Sequence, residues 1–161
     1  MTKAFILVTI FGIIFSGVTI VHATQSHPVS QVLPATIVIP TPSMLQLINV
    51  ERVKDGDQPL TVNQDLVESA TAKACDMRDK EYFDHKDPQG NAPWHFFKEA
   101  GYIYEVAGEN LAIGYDNPVE AMNALMNSPK HRDNILGDDY TEVGIGYCGD
   151  YTVQHFGKPY D

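Results

Sequence analysis

Residues 4–21 carry no charge and are mostly Ile, Val, Phe, Leu and Ala. This run decides how the rest of the chain can be organised. One cation, Lys3, precedes it, and Val21-His22-Ala23 closes it with small or β-branched residues where a signal peptidase reads. A short basic region, an apolar core and an A-x-A-like site describe a cleaved secretory signal over residues 1–23. The run is also near the ~18-residue length of a membrane span, so an uncleaved anchor is the alternative. In both readings the remaining residues fold outside the cytoplasm.

Residues 24–42 hold Pro28, Pro34, Pro40 and Pro42 among Ser, Thr and Gln. That is the composition of an extended linker. Within it, Ala35-Thr36-Ile37-Val38-Ile39 could add as an edge strand. Residues 43–161 have the length of one domain and hold all eight Tyr, the one Trp and both Cys. The formal net charge is −10, or −11 once Lys3 leaves with the signal. Such a chain is repelled by nucleic acid and by anionic membrane surfaces. This excludes a nucleic-acid partner and limits membrane attachment to an uncleaved N-terminal segment. The charge otherwise serves solubility.

Helices come first along the domain and strands last. Ser43 caps a helix that ends near Asp55-Gly56. Leu60 to Asn63 connects to a second helix, capped by Asn63. Val67, Ala70, Ala74 and Met77 form its apolar stripe, and their small size implies close packing. Pro93 opens a short third helix stopped by Gly101, and Pro118 opens a fourth with Val119, Met122 and Met126 on one face. Ser128-Pro129 starts a short fifth. Residues 140–148 alternate and are β-branched, and residues 151–156 follow Gly149-Asp150, which reads as a β-hairpin. Helices followed by an antiparallel hairpin make an α+β layered domain.

Cys75 and Cys148 are an even pair in an exported chain, which suggests a disulfide; two separate buried thiols are the alternative. Neither lies in a C-x-x-C or Cys/His cluster of the kind that builds a metal site. A bond between them would tie the second helix to the hairpin.

Three polar residues stand out by placement. His85 follows the second helix, Glu109 sits among small and apolar residues, and His131 lies in the first turn of the short fifth helix. Each alone reads as a cap, a turn or a surface side chain.

The motifs around them resemble the CAP superfamily, which includes cysteine-rich secretory proteins, insect venom antigens and plant pathogenesis-related proteins. The matching runs are Tyr82-Phe83-Asp84-His85-x-Asp87-Pro88, Gly108-Glu109-Asn110-Leu111-Ala112, Ser128-Pro129-x-His131-Arg132-x-Asn134-Ile135-Leu136, Val143-Gly144-Ile145-Gly146-Tyr147 and Gln154-His155-Phe156-Gly157. They keep the family's order from residue 43 to 159 and resemble its short bacterial, SCP-like branch. The resemblance implies a three-layer α-β-α sandwich with a small antiparallel sheet. It also implies a cleft in which His85 and His131 can hold a divalent metal such as Zn2+, with Glu109 as the first acid. Neutral imidazoles suit zinc, and a carboxylate can orient an imidazole or a bound water.

One departure matters. Many members carry a second acid in a W-Y-x-E motif, and Leu125-Met126-Asn127-Ser128 stands there instead. Ser128 takes the acid's place beside the cleft, where it reads as a helix cap and not a nucleophile. Asn110 satisfies buried backbone groups there. His155 is expected on the sheet face opposite Gln154 and Phe156, at the outer face or cleft rim. Trp94, Phe96 and Phe97 read as core, and Arg132 as solvated.

These readings support an extracellular ligand-binding or interaction module. Its partners would be a small ligand, lipids and sterols included, or an extracellular protein. A metal-assisted hydrolase with Glu109 as general base is one alternative, and a purely adhesive surface domain is the other.

Overall fold

The computed structural model describes residues 41–160. The expected signal at 1–23, the edge strand at 35–39 and nearly all of the linker lie outside the described residues.

Helix α1, Met44–Asp55, starts with a capping box. The Ser43 side chain accepts from the Gln46 N–H at 3.3 Å, and the Gln46 side chain accepts from the Ser43 N–H at 2.8 Å. Gly56 ends the helix at φ 102°, a left-handed turn that a side chain would oppose. Strand β1, Thr61–Val62, leads into helix α2, Gln64–Asp79, capped by the Asn63 side chain on the Asp65 and Leu66 N–H groups. Helix α3, Trp94–Glu99, precedes the long strand β2, Tyr104–Ile113. Helix α4, Pro118–Asn127, and helix α5, Pro129–Ile135, both begin at proline. Strands β3, Glu142–Cys148, and β4, Tyr151–Pro159, form the expected hairpin, with Gly149 at φ 57° in its turn.

The sheet order is β1-β3-β4-β2. β1 lies parallel to β3, while β3–β4 and β4–β2 are antiparallel. Helices cover both faces, which gives the α-β-α sandwich. On one face, Met44, Ile48, Met122, Leu125 and Ile135 from α1, α4 and α5 pack on Ala112, Val143 and Phe156. The buried face of α4 is Ala121, Met122 and Leu125, one step round from the expected Val119, Met122 and Met126. On the other face, Ala70, Ala74 and Met77 of α2 pack on Leu111, Cys148 and Val153.

α2 lies very close to the sheet. A Cβ added at Gly144 would overlap the Leu66 backbone, and one at Gly146 would overlap that of Ala70. Glycines on the strand and alanines on the helix permit this approach, and packing at this density leaves no slack for a methyl group. The Cys75–Cys148 disulfide joins the same two layers, with Cα atoms 5.0 Å apart. Behind the opposite face, the buried Arg52 donates to the carbonyls of Gln58, Ile135 and Gly137 at 2.7–2.9 Å. It thereby fastens α1 to the end of α5.

Candidate functional site

The site is built around one carboxylate. Strand alternation sends Glu109 of β2 toward the α2 face, directly opposite His155 in the β2–β4 register. Its side chain is 2% exposed. His155 Nε2–H donates to Glu109 Oε2 at 2.9 Å, and His85 Nδ1–H donates to Oε1 at 2.7 Å. Both oxygens are thus engaged. Burial by itself would raise the Glu109 carboxyl, but the hydrogen bonds from His155 and His85 outweigh it and hold the group below its ordinary range.

His155 is wholly buried, which corrects the expectation of an outer-face or rim position. It does point opposite to Gln154 and Phe156, but α2 and α3 cover that face. The Phe97 ring lies 4.3 Å from its ring centroid, and the Ser69 hydroxyl lies 2.8 Å from its Nδ1. Burial lowers its proton affinity, so the ring is neutral. With Nε2–H given to Glu109, Nδ1 must accept from Ser69 Oγ. Ser69, His155 and Glu109 share the connectivity of a hydrolytic triad. Ser69 and His155 are both 0% exposed, so no substrate carbonyl can reach the hydroxyl. The chain of hydrogen bonds sets the orientation of Glu109.

Lys73 is the other residue that the sequence reading missed. It is buried on α2, and its ammonium donates to the carbonyls of Asp84 and His85 at 2.8 and 3.0 Å and to the Tyr82 hydroxyl at 3.1 Å. The Tyr82 hydroxyl in turn donates a hydrogen bond to Asp76 Oδ2 at 2.6 Å. All three ammonium hydrogens are satisfied, and the loop that carries His85 is pinned at two successive carbonyls. Burial lowers the lysine's proton affinity against the opposing charges of Glu109 and Asp76. Leu66, Ser69, Lys73 and Met77 fall at helical spacing. Two of the four are polar, so apolar periodicity passed over this face.

His131 approaches from the other side of β2. Its carbonyl accepts from Asn110 Nδ2 at 3.0 Å, and Asn134 Nδ2 donates to the Glu109 carbonyl at 3.0 Å and to Asn110 Oδ1 at 2.9 Å. Asn110 therefore fastens the start of α5 to the edge strand, satisfying one backbone carbonyl and the side chains of Gln154 and Asn134. Burial, and then the charge on His85, lower His131, so its ring is neutral near pH 7. Ser128 precedes α5 in N-cap geometry, but its side chain makes no capping bond. Instead it lines, with His131, Phe83, Leu111 and Tyr115, a cleft of about 230 Å³. Arg132 is exposed, as expected. Phe96 and Phe97 are core, whereas Trp94 lies partly in solvent.

Among the described residues, no three His, Cys, Asp or Glu side chains are arranged to hold a metal. The donors that remain are the Nε2 of His85, left outward by the Glu109 bond, and the His131 ring, which has no hydrogen-bond partner among the described residues. His131 is neutral near pH 7, and His85 becomes neutral once the pH passes its raised folded value; two such imidazoles suit a divalent cation with open positions, and do not make a closed structural site.

The sandwich and this cleft define a CAP domain. The model of the cysteine-rich secretory protein family matches residues 45–156, and the chain belongs to that family. It is 41% identical over 128 residues to protein YkwD of Bacillus subtilis (strain 168), covering 78% of this chain and 50% of YkwD. It is 34% identical over 115 residues to membrane protein YlbC of the same organism, covering 71% of this chain and 33% of YlbC. The chain thus spans half the length of one relative and a third of the other. Among solved structures, it is similar to an extracellular SCP-domain protein of Bacillus anthracis str. Ames. That match has a TM-score of 0.70 and 27% identity, over 71% of this chain and 39% of that one. An outer surface protein of Borrelia burgdorferi shares the fold at a TM-score of 0.66 and 21% identity, over 73% of this chain and 90% of that one.

Proposed function

We propose that the chain is an extracellular ligand-binding and interaction module whose cleft holds a divalent cation between His85 and His131. Zn2+ is the natural choice for neutral imidazoles. One observation carries this reading: the buried Glu109 fixes the His85 ring by Nδ1 and leaves Nε2 as the outward donor. A carboxylate behind an imidazole orients the ring and raises its basicity as a ligand. A bound cation would supply a Lewis-acidic point for an oxygen of the ligand. The cleft beside His131 would receive one end of that ligand, a lipid or sterol being candidates, and an extracellular protein is the other class of partner. Export is supported by the N-terminal signal pattern and by relatives described as extracellular, outer-surface and membrane proteins. No helix among the described residues is long and apolar enough to cross a membrane.

Metal-assisted hydrolysis is the weaker reading. A general base needs a lone pair open to water. Both oxygens of Glu109 accept from histidines instead, and the side chain is buried.

Zinc titration calorimetry tests the proposal at a pH above the folded value of His85, which its bond to Glu109 holds above the ordinary histidine range. Stoichiometric binding that disappears in His131→Ala supports it. An absence of binding heat in the unsubstituted protein removes the metal and leaves an adhesive or protein-interaction domain.

A further inference from the structure

A second cavity lies at the end of the sheet beyond the histidine cleft and shares only Tyr115 with it. Its volume is about 180 Å³. Tyr115 comes from the loop between β2 and α4, Tyr147 from β3 and Thr152 from β4, while the buried Met44 and Ala121 from α1 and α4 also line it. Tyr147 is 50% exposed and Tyr115 39%. Neither tyrosine packs against another aromatic ring among the described residues, so both rings remain available to an occupant. Asp116 adds an exposed carboxylate with no ion-pair partner among the described residues, and no Lys, Arg or His lines the cavity.

We propose that this cavity binds a quaternary ammonium group or an organic cation of similar bulk. Aromatic faces attract a cation through the ring quadrupole, and most strongly where water is partly excluded. A bare ammonium would lose a tight hydration shell on entry, whereas a methylated one is weakly hydrated and presents apolar surface to the rings. The volume suits a compact head group and is too small for a sterol or an acyl chain. The N-terminus of α4 lies here and carries roughly half a positive charge. It is offset by Asp116 and by Glu120 in the first turn, and the Asn117 side chain already occupies the Glu120 N–H at 3.0 Å. The formal charge of −10 favours a cation at longer range.

The test is calorimetric or NMR titration of the purified protein with choline chloride. Its uncharged carbon isostere, with tert-butyl in place of trimethylammonium, is titrated in parallel. The expected result is saturable choline binding, at least roughly tenfold tighter than the isostere. Tyr147→Ala and Asp116→Asn should weaken it, with near-UV circular dichroism confirming that both variants fold. His131→Ala should leave it unchanged, which separates this site from the metal cleft. Phosphatidylcholine vesicles distinguish two sources of the group. Co-sedimentation that free choline competes away assigns a lipid head group, and choline binding without co-sedimentation assigns a soluble cation. No saturation by about 20 mM choline, or equal binding of the isostere, overturns the proposal.

Discussion

Glu109 and His155 face each other across the β2–β4 ladder, and the carboxylate takes the ring's Nε2–H at 2.9 Å inside a fully covered layer. The pair is part of the scaffold, and the outward-facing His85 depends on it. His155→Ala removes one donor from a buried anion and opens a void beside Phe97. The expected loss is about 3 kcal/mol of unfolding free energy, read from urea melts. A loss below about 0.5 kcal/mol would show that the bond bears no weight.

Lys73→Met keeps the length of the side chain but leaves the carbonyls of Asp84 and His85 without their buried donor. Stability should fall by about 2 kcal/mol. The His85 ring resonances should broaden or shift in NMR spectra while those of His131 hold. Unchanged His85 signals would mean that the loop keeps its position without the ammonium.

The two histidines on Glu109 move stability in opposite directions with pH. His155 is lowered by burial, so its contribution is complete above the ordinary histidine value of 6.5 and is lost as the pH falls below it toward the folded value. His85 is raised by its bond to Glu109, so its contribution is complete below 6.5 and is lost as the pH rises through the folded value. His85→Asn should therefore abolish the decline in urea midpoint expected as the pH rises above the ordinary histidine value, while the acid-side decline remains. An identical alkaline decline in the variant would assign it to another group.

Removing the disulfide with the paired Cys75→Ser and Cys148→Ser substitutions frees a loop with a sequence separation of 73. Stability should drop by about 4 kcal/mol in the chain-entropy model. The guanidinium midpoint of the unsubstituted protein under reducing conditions should approach that of the double variant.

Gly144→Ala places a methyl group against the Leu66 backbone, which cannot rotate away as a side chain would. The expected loss is about 3 kcal/mol. Ala at the exposed Gly90, with nothing within 4 Å, meets only its φ of 88° and should lose less.

The helices were legible because local chemistry writes their ends: Ser43, Asn63, Pro93, Pro118 and Gly56 each act where they stand. The hairpin was legible from the alternation of β3 and its glycine turn. β2 was not read as a strand. Residues 108–112 are buried on both faces, so the period of two vanishes, and Gly-Glu-Asn has weak strand preference. β1 spans two residues and owes its existence to its partner β3. The motifs located His85, Glu109 and His131. Ser69, Lys73 and the buried state of His155 depend on which face α2 covers, and only the tertiary packing decides that.

The strand order also carries a consequence for timing. Among the described residues, β1 pairs only with β3, and β2 only with β4. Neither has a pairing neighbour earlier in the chain. Until residues 142–159 are available, helices can form but no ladder can close, and Glu109 has no His155 to meet. A polypeptide that emerges from its N-terminal end, as on a ribosome, thus stays without a sheet until β3 and β4 follow. The domain is committed to fold late.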